Sequence, residues 1–527
     1  MNTPDEAVCR FRPERHYAAR RNWLNDPNGL VYANGLYHLF YQYNPYGNGW
    51  GHMSWGHATS PDLVTWEEHP VAIACDDQEM IYSGSAVIDI RNTSGFGTTD
   101  KPAMVAVYTS AYTEASPLAG KQAQSLAYSL DEGISWTKYS ANPVLDRGSA
   151  NFRDPKVFWY EGPAGSYWVM AAVEAVDRTV VLYRSSDLKS WQYLSAFGPA
   201  NATGGDWECP DLFELPVDGD PSQTKWVLVV NLNPGGIAGG SAAQYFLGQF
   251  DGVTFVSGTT LTDGLQTDDS RMPEYGWLDW GRDYYAAVSF NNVPGGRRLM
   301  IGWMNNWQYA ARTPTTGWRS AMSLAREVRL ATRGGRTVLL QEAVEPPEAA
   351  GPNVLSLGRQ PLKAGTTWLP AEVSGPVLRI DADFEPGEAG EIGLLLRAGE
   401  KERTVLSYDC ETGTLRVDRR QSGCVGFDST FPSVESAAVP LDQGRLRLSV
   451  YLDRSSVEVF AQEGLVTITD QVFPDKDSLG LAIFASREGT TLTALSISDY
   501  NTSVQPEAAA HAGAVASAPR LIQPKLK

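Results

Sequence analysis

Five cysteines in 527 residues, Cys9, Cys75, Cys209, Cys410 and Cys424, are too few and too scattered for a disulfide-stapled scaffold. No CxxC or Cys/His ligand spacing occurs, so no structural metal site is expected. Cys410 and Cys424 alone are placed to pair across a hairpin, and the sequence leaves that open. The six histidines show no metal-ligand or Ser/His spacing; His38, His52 and His57 read as strand or supporting residues. No apolar run reaches the length of a membrane-spanning helix, and MNTPDEAVCRFRPERH lacks the apolar core of a secretion signal. Basic residues are short as well, 43 Lys and Arg against 61 Asp and Glu, a net charge of −18. A chain so acidic offers no general attraction to nucleic acid or to an anionic membrane. It suits a neutral ligand, with no cofactor called for.

Long helical periodicity is also missing before about residue 345. Short alternating strands take its place: LYHLFYQY, AMVAVYTS, YWVMAAVEA, WVLVVNLN and RLMIGWM. Asn34-Gly35, between two apolar-aromatic runs, predicts a two-residue hairpin. A weak repeat runs through these strands, with SPDLVTW ending at Trp66, SLDEGISW at Trp136, SSDLKSW at Trp191 and the degenerate FDGVTF at Phe255. Copies some 55–70 residues apart (Trp66, Trp136, Trp191, Phe255) suit a four-stranded blade with one long loop. Residues 1–345 are therefore expected to form a five-bladed β-propeller. The Pro/Ala/Glu-rich stretch at 346–354 reads as a linker. Further alternating strands over 355–500 predict a β-sandwich, and the Ala/Pro-rich 501–527 reads as a flexible tail. The fold class is all-β.

Aromatics are plentiful: 16 Trp, 23 Tyr and 17 Phe. Trp55, Trp307 and Trp318 suit blade packing, whereas Trp50 and Trp303, in Gly/Asn-rich surroundings, are expected to be exposed for contact with a sugar ring. NPGGIAGGSAAQ lacks the Lys-Ser/Thr of a phosphate loop and reads as a loop at the channel mouth.

Three carboxylates stand within two residues of a proline: Asp26 in WLNDPNG, Asp154 in NFRDPKVFW and Glu208 in DWECPDLF. Each is read as a Pro-anchored turn, Asp-Pro-Asn-Gly above all. They fall one or two blade lengths apart, so a propeller brings them to one end of its channel. Such a set fits glycoside hydrolysis with retention, which needs an ionised nucleophile and a protonated acid. Asp26, flanked by Asn25 and Asn28, suits the nucleophile. Glu208, beside Trp207 and Cys209, suits the acid in an apolar pocket. Asp154, beside Arg153, is expected to stay ionised and hold sugar hydroxyls.

WLNDPNG, LFYQYNP, GNGWGHMSWGHATS, YSGSAV, FRDPKVFW, WECPDLF, IGWMNNWQY, WRSAMSLARE and LDRSSVEVF, in this order, resemble glycoside hydrolase family 32, the β-fructosidases, from about residue 16 to about 500. The resemblance implies a five-bladed propeller with a β-sandwich, Asp26 as nucleophile, Glu208 as acid/base and Asp154 as transition-state stabiliser. It also implies that Asn25, Gln42, Trp50, Ser83, Arg153 and Trp303 line the pocket for a terminal fructose. Leu24 replaces the family's usual Met, and Tyr82 its usual Phe. Expected activities are release of terminal fructose from levan, inulin or sucrose or, as the alternative, fructosyl transfer to another sugar. A polymeric substrate implies an extracellular protein whose leader is not in this sequence; a small sugar would permit a cytoplasmic one.

Overall fold

A computed structural model describes residues 10–500 apart from 164, 266–268, 346–350 and 389. Five four-stranded blades are arranged around an axis, followed by two stacked sheets. Blade I comprises Asn22–Ala33, Leu36–Asn44, Ser54–Ser60 and Glu67–Ile73. Blade II comprises Glu79–Ile88, Met104–Tyr112, Gln122–Ser129 and Thr137–Lys138. Blade III comprises Phe152–Gly162, Gly165–Glu174, Thr179–Ser185 and Gln192–Phe197. Blade IV comprises Asp206–Val217, Asp220–Asn233, Ala242–Phe250 and Phe255–Ser257. Blade V comprises Tyr285–Ser289, Leu299–Met304, Arg326–Arg333 and Arg336–Ala343. The first strand of each blade touches the first strand of the next, and that of blade V returns to blade I. The ring is closed by parallel pairing of Asn22 with Trp318 and of Val31 with Asn291.

The repeat seen in the sequence falls at the third-to-fourth-strand connections of blades I–IV. In three copies a serine hydroxyl meets the aspartate two residues on, Ser60 with Asp62, Ser129 with Asp131 and Ser185 with Asp187. The same carboxylates accept backbone N–H groups from the residues that follow, as Asp251 does in the degenerate copy. Asn34 and Gly35, both at positive φ, form the expected hairpin. His38 and His57 lie buried on the blade I sheet, with the His57 ring 4.2 Å from Phe40. Among the described residues no helix is long and apolar enough to cross a membrane.

The first sandwich strand begins at Asn353, two residues inside the span expected as linker. Of that linker 346–350 lie outside the described residues, as does the expected tail 501–527. A seven-stranded sheet faces a six-stranded one across a core that includes Ile380, Phe384, Leu406, Val450, Val459 and Ile483. Cys410 and Cys424 are both free, so the pairing left open by the sequence does not form.

The two domains are joined through buried charge. Arg326 of blade V binds Asp279 of the propeller at 2.9 Å and Glu458 of the sandwich at 2.6 Å. Arg419 of the sandwich reaches Asp283 at 2.6 Å. His16, just before blade I, lies between Asp453 at 2.8 Å and Glu458 at 2.9 Å. Burial alone would lower its proton affinity, but hydrogen bonds to the two carboxylates outweigh that and push its pKa up to about 9. A histidine raised in this way adds stability below its unfolded pKa of 6.5, and that stability is lost as pH rises through about 9. The wild-type protein is expected to lose up to about 3 kcal/mol across this window. His16→Gln should flatten that part of the stability–pH curve, as measured by denaturant unfolding at a series of pH values.

Candidate active site

Asp26, Asp154 and Glu208 are not in turns. All three lie inside the first strands of their blades, Asn22–Ala33, Phe152–Gly162 and Asp206–Val217. The turn-like composition serves another purpose there: each first strand breaks register with its neighbour at this level. The breaks lie between Leu24 and Pro27, Tyr82 and Gly84, Arg153 and Lys156, Glu208 and Asp211, and Tyr285 and Val288. These are bulges, which re-aim side chains and release the strand from one ladder hydrogen bond. Proline, lacking an N–H, is tolerated at such a position, and Pro27, Pro155 and Pro210 occupy it in blades I, III and IV. Asp154, Cys209 and Ala286 take positive φ of 64°, 43° and 53°, backbone strain spent at the site. In blade II the place of the proline belongs to Gly84, where a Cβ would lie 2.1 Å from the Val107 carbonyl oxygen.

The five bulges turn two sets of side chains toward the channel. In one set Asp26 accepts hydrogen bonds from Asn25 Nδ2 at 3.0 Å and Ser83 Oγ at 2.8 Å. The Cys209 thiol lies 3.7 Å from a carboxylate oxygen of both Asp26 and Asp154. Burial and the neighbouring carboxylates raise the Cys209 pKa, so it remains a thiol that can donate. Asp154 also accepts the Cys209 N–H at 2.9 Å, and its own N–H is held by Thr109 Oγ1. In the second set Arg153 donates to Glu208 Oε1 through Nη2 at 2.9 Å and Nε at 3.2 Å. The Tyr285 hydroxyl donates to Glu208 Oε2.

Two electrostatic expectations are thereby overturned. Trp207 and Cys209 do not enclose Glu208. Alternation along the strand sends the Trp207 ring into the blade core, and Glu208 is met by a cation and a phenol. Arg153 is nearer Glu208 than Asp154, from which its Nε stands 3.8 Å away. Burial, joined by the charge of Glu208 and opposed by Arg153, pushes the Asp154 pKa up to about 7. Asp26 is also raised, by burial and then by Glu208, with the Asn25 and Ser83 hydrogen bonds pulling the other way. Asp154 thus holds its proton more tightly than its sequence neighbour Arg153 suggested.

The remaining expected residues divide. Gln42 is buried and donates to Asn28 Oδ1 at 2.7 Å and to the Ile81 carbonyl, bracing the strand that carries Asp26. Trp50 is 48% exposed, with its ring edge toward Tyr82. Trp303, expected to be exposed, is 0% exposed. Trp23, Trp307 and Tyr285 surround it because the second strand of blade V packs it inward. Trp23 in turn donates to Asn25 Oδ1 at 2.7 Å. The glycine-rich loop is tied to the backbone beside this group, since Ser241 Oγ accepts the backbone N–H of Trp307. Tyr285 received no role from the sequence, and Cys209 only that of an apolar neighbour of Glu208. The signal that marks them is register: each occupies, in its blade, the bulge that carries a carboxylate or its neighbour elsewhere.

Because Asp154 holds its proton more tightly in the folded chain, stability is withdrawn as pH rises from its unfolded pKa of 3.8 through about 7. Asp154→Asn is expected to unfold at a higher temperature than wild type near pH 8, at about the limit where Asp154 is ionised. The difference should vanish near pH 4. Thermal unfolding across this range checks it, and a gap independent of pH would count against the raised affinity.

Residues 16–343 match the Glycosyl hydrolases family 32 N-terminal domain, and residues 353–499 match the C-terminal domain of that family. The chain is 45% identical over 496 residues to a levanase of Bacillus subtilis, covering 92% of this chain and 70% of that protein. It is 44% identical over 502 residues to the extracellular exo-inulinase of Aspergillus ficuum, covering 89% and 90%. A crystal structure of exo-inulinase from Aspergillus awamori superposes with a TM-score of 0.86 at 40% identity, over 93% of this chain and 98% of that one. With a propeller, a sandwich and a carboxylate cluster at the bulges of the inner strands, the chain belongs to glycosyl hydrolase family 32 and is a glycosidase.

Proposed function

We propose that the protein releases terminal fructose from fructans, of the levan and inulin type, and from sucrose-like ends, with retention of configuration. The carrying observation is the clustered carboxylate set: Asp26 held by two donors, Glu208 held by Arg153 and Tyr285, and a buried Asp154 with a raised proton affinity. The identity of 44–45% to proteins named levanase and exo-inulinase supports the substrate class. The extracellular names among those relatives support a secreted protein.

In this reading Asp26 attacks the anomeric carbon of the terminal fructosyl unit while Glu208 protonates the departing oxygen. Water then enters, giving its proton to Glu208 and releasing Asp26. Asn25 and Ser83 hold the nucleophile ionised and in position. Arg153 and Asp154 offer a donor and a carboxyl group of raised proton affinity to the sugar hydroxyls. Trp50 presents an exposed ring face to the sugar, and Trp303 supports Tyr285 and Trp23 from beneath.

Removing the nucleophile as Asp26→Ala is expected to lower kcat by about 10⁴-fold or more. Product chromatography from levan, inulin and sucrose completes the test. Fructose alone from the first time point is the expected result. Activity of Asp26→Ala within tenfold of wild type would overturn the nucleophile, and oligosaccharides or a difructose anhydride ahead of free fructose would replace hydrolysis by fructosyl transfer.

A further inference from the structure

The two oxygens of Glu208 are held unequally. Oε1 takes both contacts from Arg153, a side chain that donates and never accepts. Oε2 takes the hydroxyl of Tyr285. A proton on Oε1 would have to face two N–H donors, so the proton that Glu208 carries belongs on Oε2. Tyr285 is fully buried at the bulge of blade V, with its ring against Trp303, and the Glu208 carboxylate is the hydrogen-bond partner of its hydroxyl. Burial, and next the charge of Glu208, raise the Tyr285 pKa well above the ordinary value for a phenol. Its hydroxyl therefore stays protonated throughout the working range and can only remain a donor toward a carboxylate.

We propose that Tyr285 is a positioning residue that favours the acid step of Glu208 over its base step. This rests on the reading of Glu208 as acid/base. In the first half-reaction a bond forms between an Asp26 oxygen and the anomeric carbon, and the glycosidic C–O bond breaks. Its electron pair stays on the departing oxygen, which takes the proton from Glu208 Oε2. Negative charge appears on Oε2 as the proton leaves, and the Tyr285 hydroxyl is already aimed at it. A charge-assisted hydrogen bond that strengthens as charge develops lowers the barrier to that transfer. In the second half-reaction a water oxygen bonds to the anomeric carbon, the Asp26 ester bond breaks with its pair returning to the carboxylate, and the water proton goes to Oε2. There the same hydrogen bond opposes proton uptake. Tyr285 thus speeds formation of the glycosyl-enzyme and slows its breakdown.

The charged and titratable groups facing Glu208 are Arg153 and Asp154 from blade III, Asp26 from blade I, Tyr82 from blade II, Cys209 on its own strand and Tyr285 from blade V. Asp206 lies beyond, 3.7 Å from Arg153. Of these, the hydroxyl of Tyr285 is removed without altering a charge by Tyr285→Phe.

The decisive experiment is the pH dependence of kcat/KM for sucrose in wild type, Tyr285→Phe, Glu208→Gln and the double variant. In Tyr285→Phe the alkaline limb is expected to move to higher pH by about one unit, the size of one hydrogen bond to a charged group. The plateau should fall by about tenfold. In the Glu208→Gln background the same change should have no further effect, because Tyr285 acts through Glu208. A uniform fall in kcat/KM with the limb unmoved, or a shift to lower pH, would overturn the proposal, as would equal effects of Tyr285→Phe in both backgrounds. Near-normal activity of Glu208→Gln would instead remove the acid/base reading on which it stands. Should Tyr285→Phe lose its fold, Trp303→Phe, which loosens the packing on the Tyr285 ring while keeping its hydroxyl, must give a limb shift in the same direction and of smaller size; an unmoved limb there would also overturn it.

Discussion

Three carboxylates crowded around one axis are the constraint that the rest of this propeller answers. Left to themselves in a buried site, like charges repel and burial penalises each ionised form. The chain meets this with donors from every blade. Asn25 from blade I and Ser83 from blade II hold Asp26. The Cys209 N–H from blade IV holds Asp154, and Arg153 from blade III with Tyr285 from blade V holds Glu208. No single blade could supply this set. A strand in regular register presents alternate side chains up and down a sheet; only the bulge repeated at one level lets five strands turn their polar groups inward together.

Much of this was legible in the amino-acid order, and the limits of that legibility are physical. The Ser/Asp turn closing on an aromatic residue is a local structure, made by hydrogen bonds within a few residues, so its recurrence marked the blades. The hairpin at Asn34-Gly35 was equally local. Asp26, Asp154 and Glu208 stood out because a carboxylate within two residues of a proline is conspicuous. The inference that these prolines make turns failed, since proline is equally at home where a strand bulges and needs no N–H. Arg153 was matched with Asp154 because they are adjacent in the chain. In a strand, adjacent side chains diverge, and the guanidinium found its partner one blade away. Trp303 misled because its polar neighbours, Asn305 and Asn306, lie just past its strand and are themselves buried. Tyr285 went unremarked because its meaning lies in the blade-to-blade register, a relation across more than 250 residues between Asn25 and Tyr285.

The sandwich bears on the site through position more than contact. Its sheet meets blade V through Arg326, Asp279 and Glu458, and reaches back to His16 at the entrance to blade I. Breaking such a buried set by removing one partner strands the other charges, at a cost of about 3–5 kcal/mol. That penalty holds the first and last blades in one arrangement from outside the ring. The seam between those blades also carries Asn22 paired with Trp318 and Leu30 bonded to Asn291.

The strand that bears Asp26 is the first of the propeller to leave the ribosome, yet it depends on pairing with segments made last. Asn22 and Leu30, four residues to either side of Asp26, find their partners near residues 318 and 291, and His16 waits for residues 453 and 458 of the sandwich. A nascent or truncated chain can therefore hold Asp26, Asp154 and Glu208 and still lack the framework that aims them. Synthesis order and architecture together leave the surroundings of Asp26 incomplete until the late segments have closed upon the early ones.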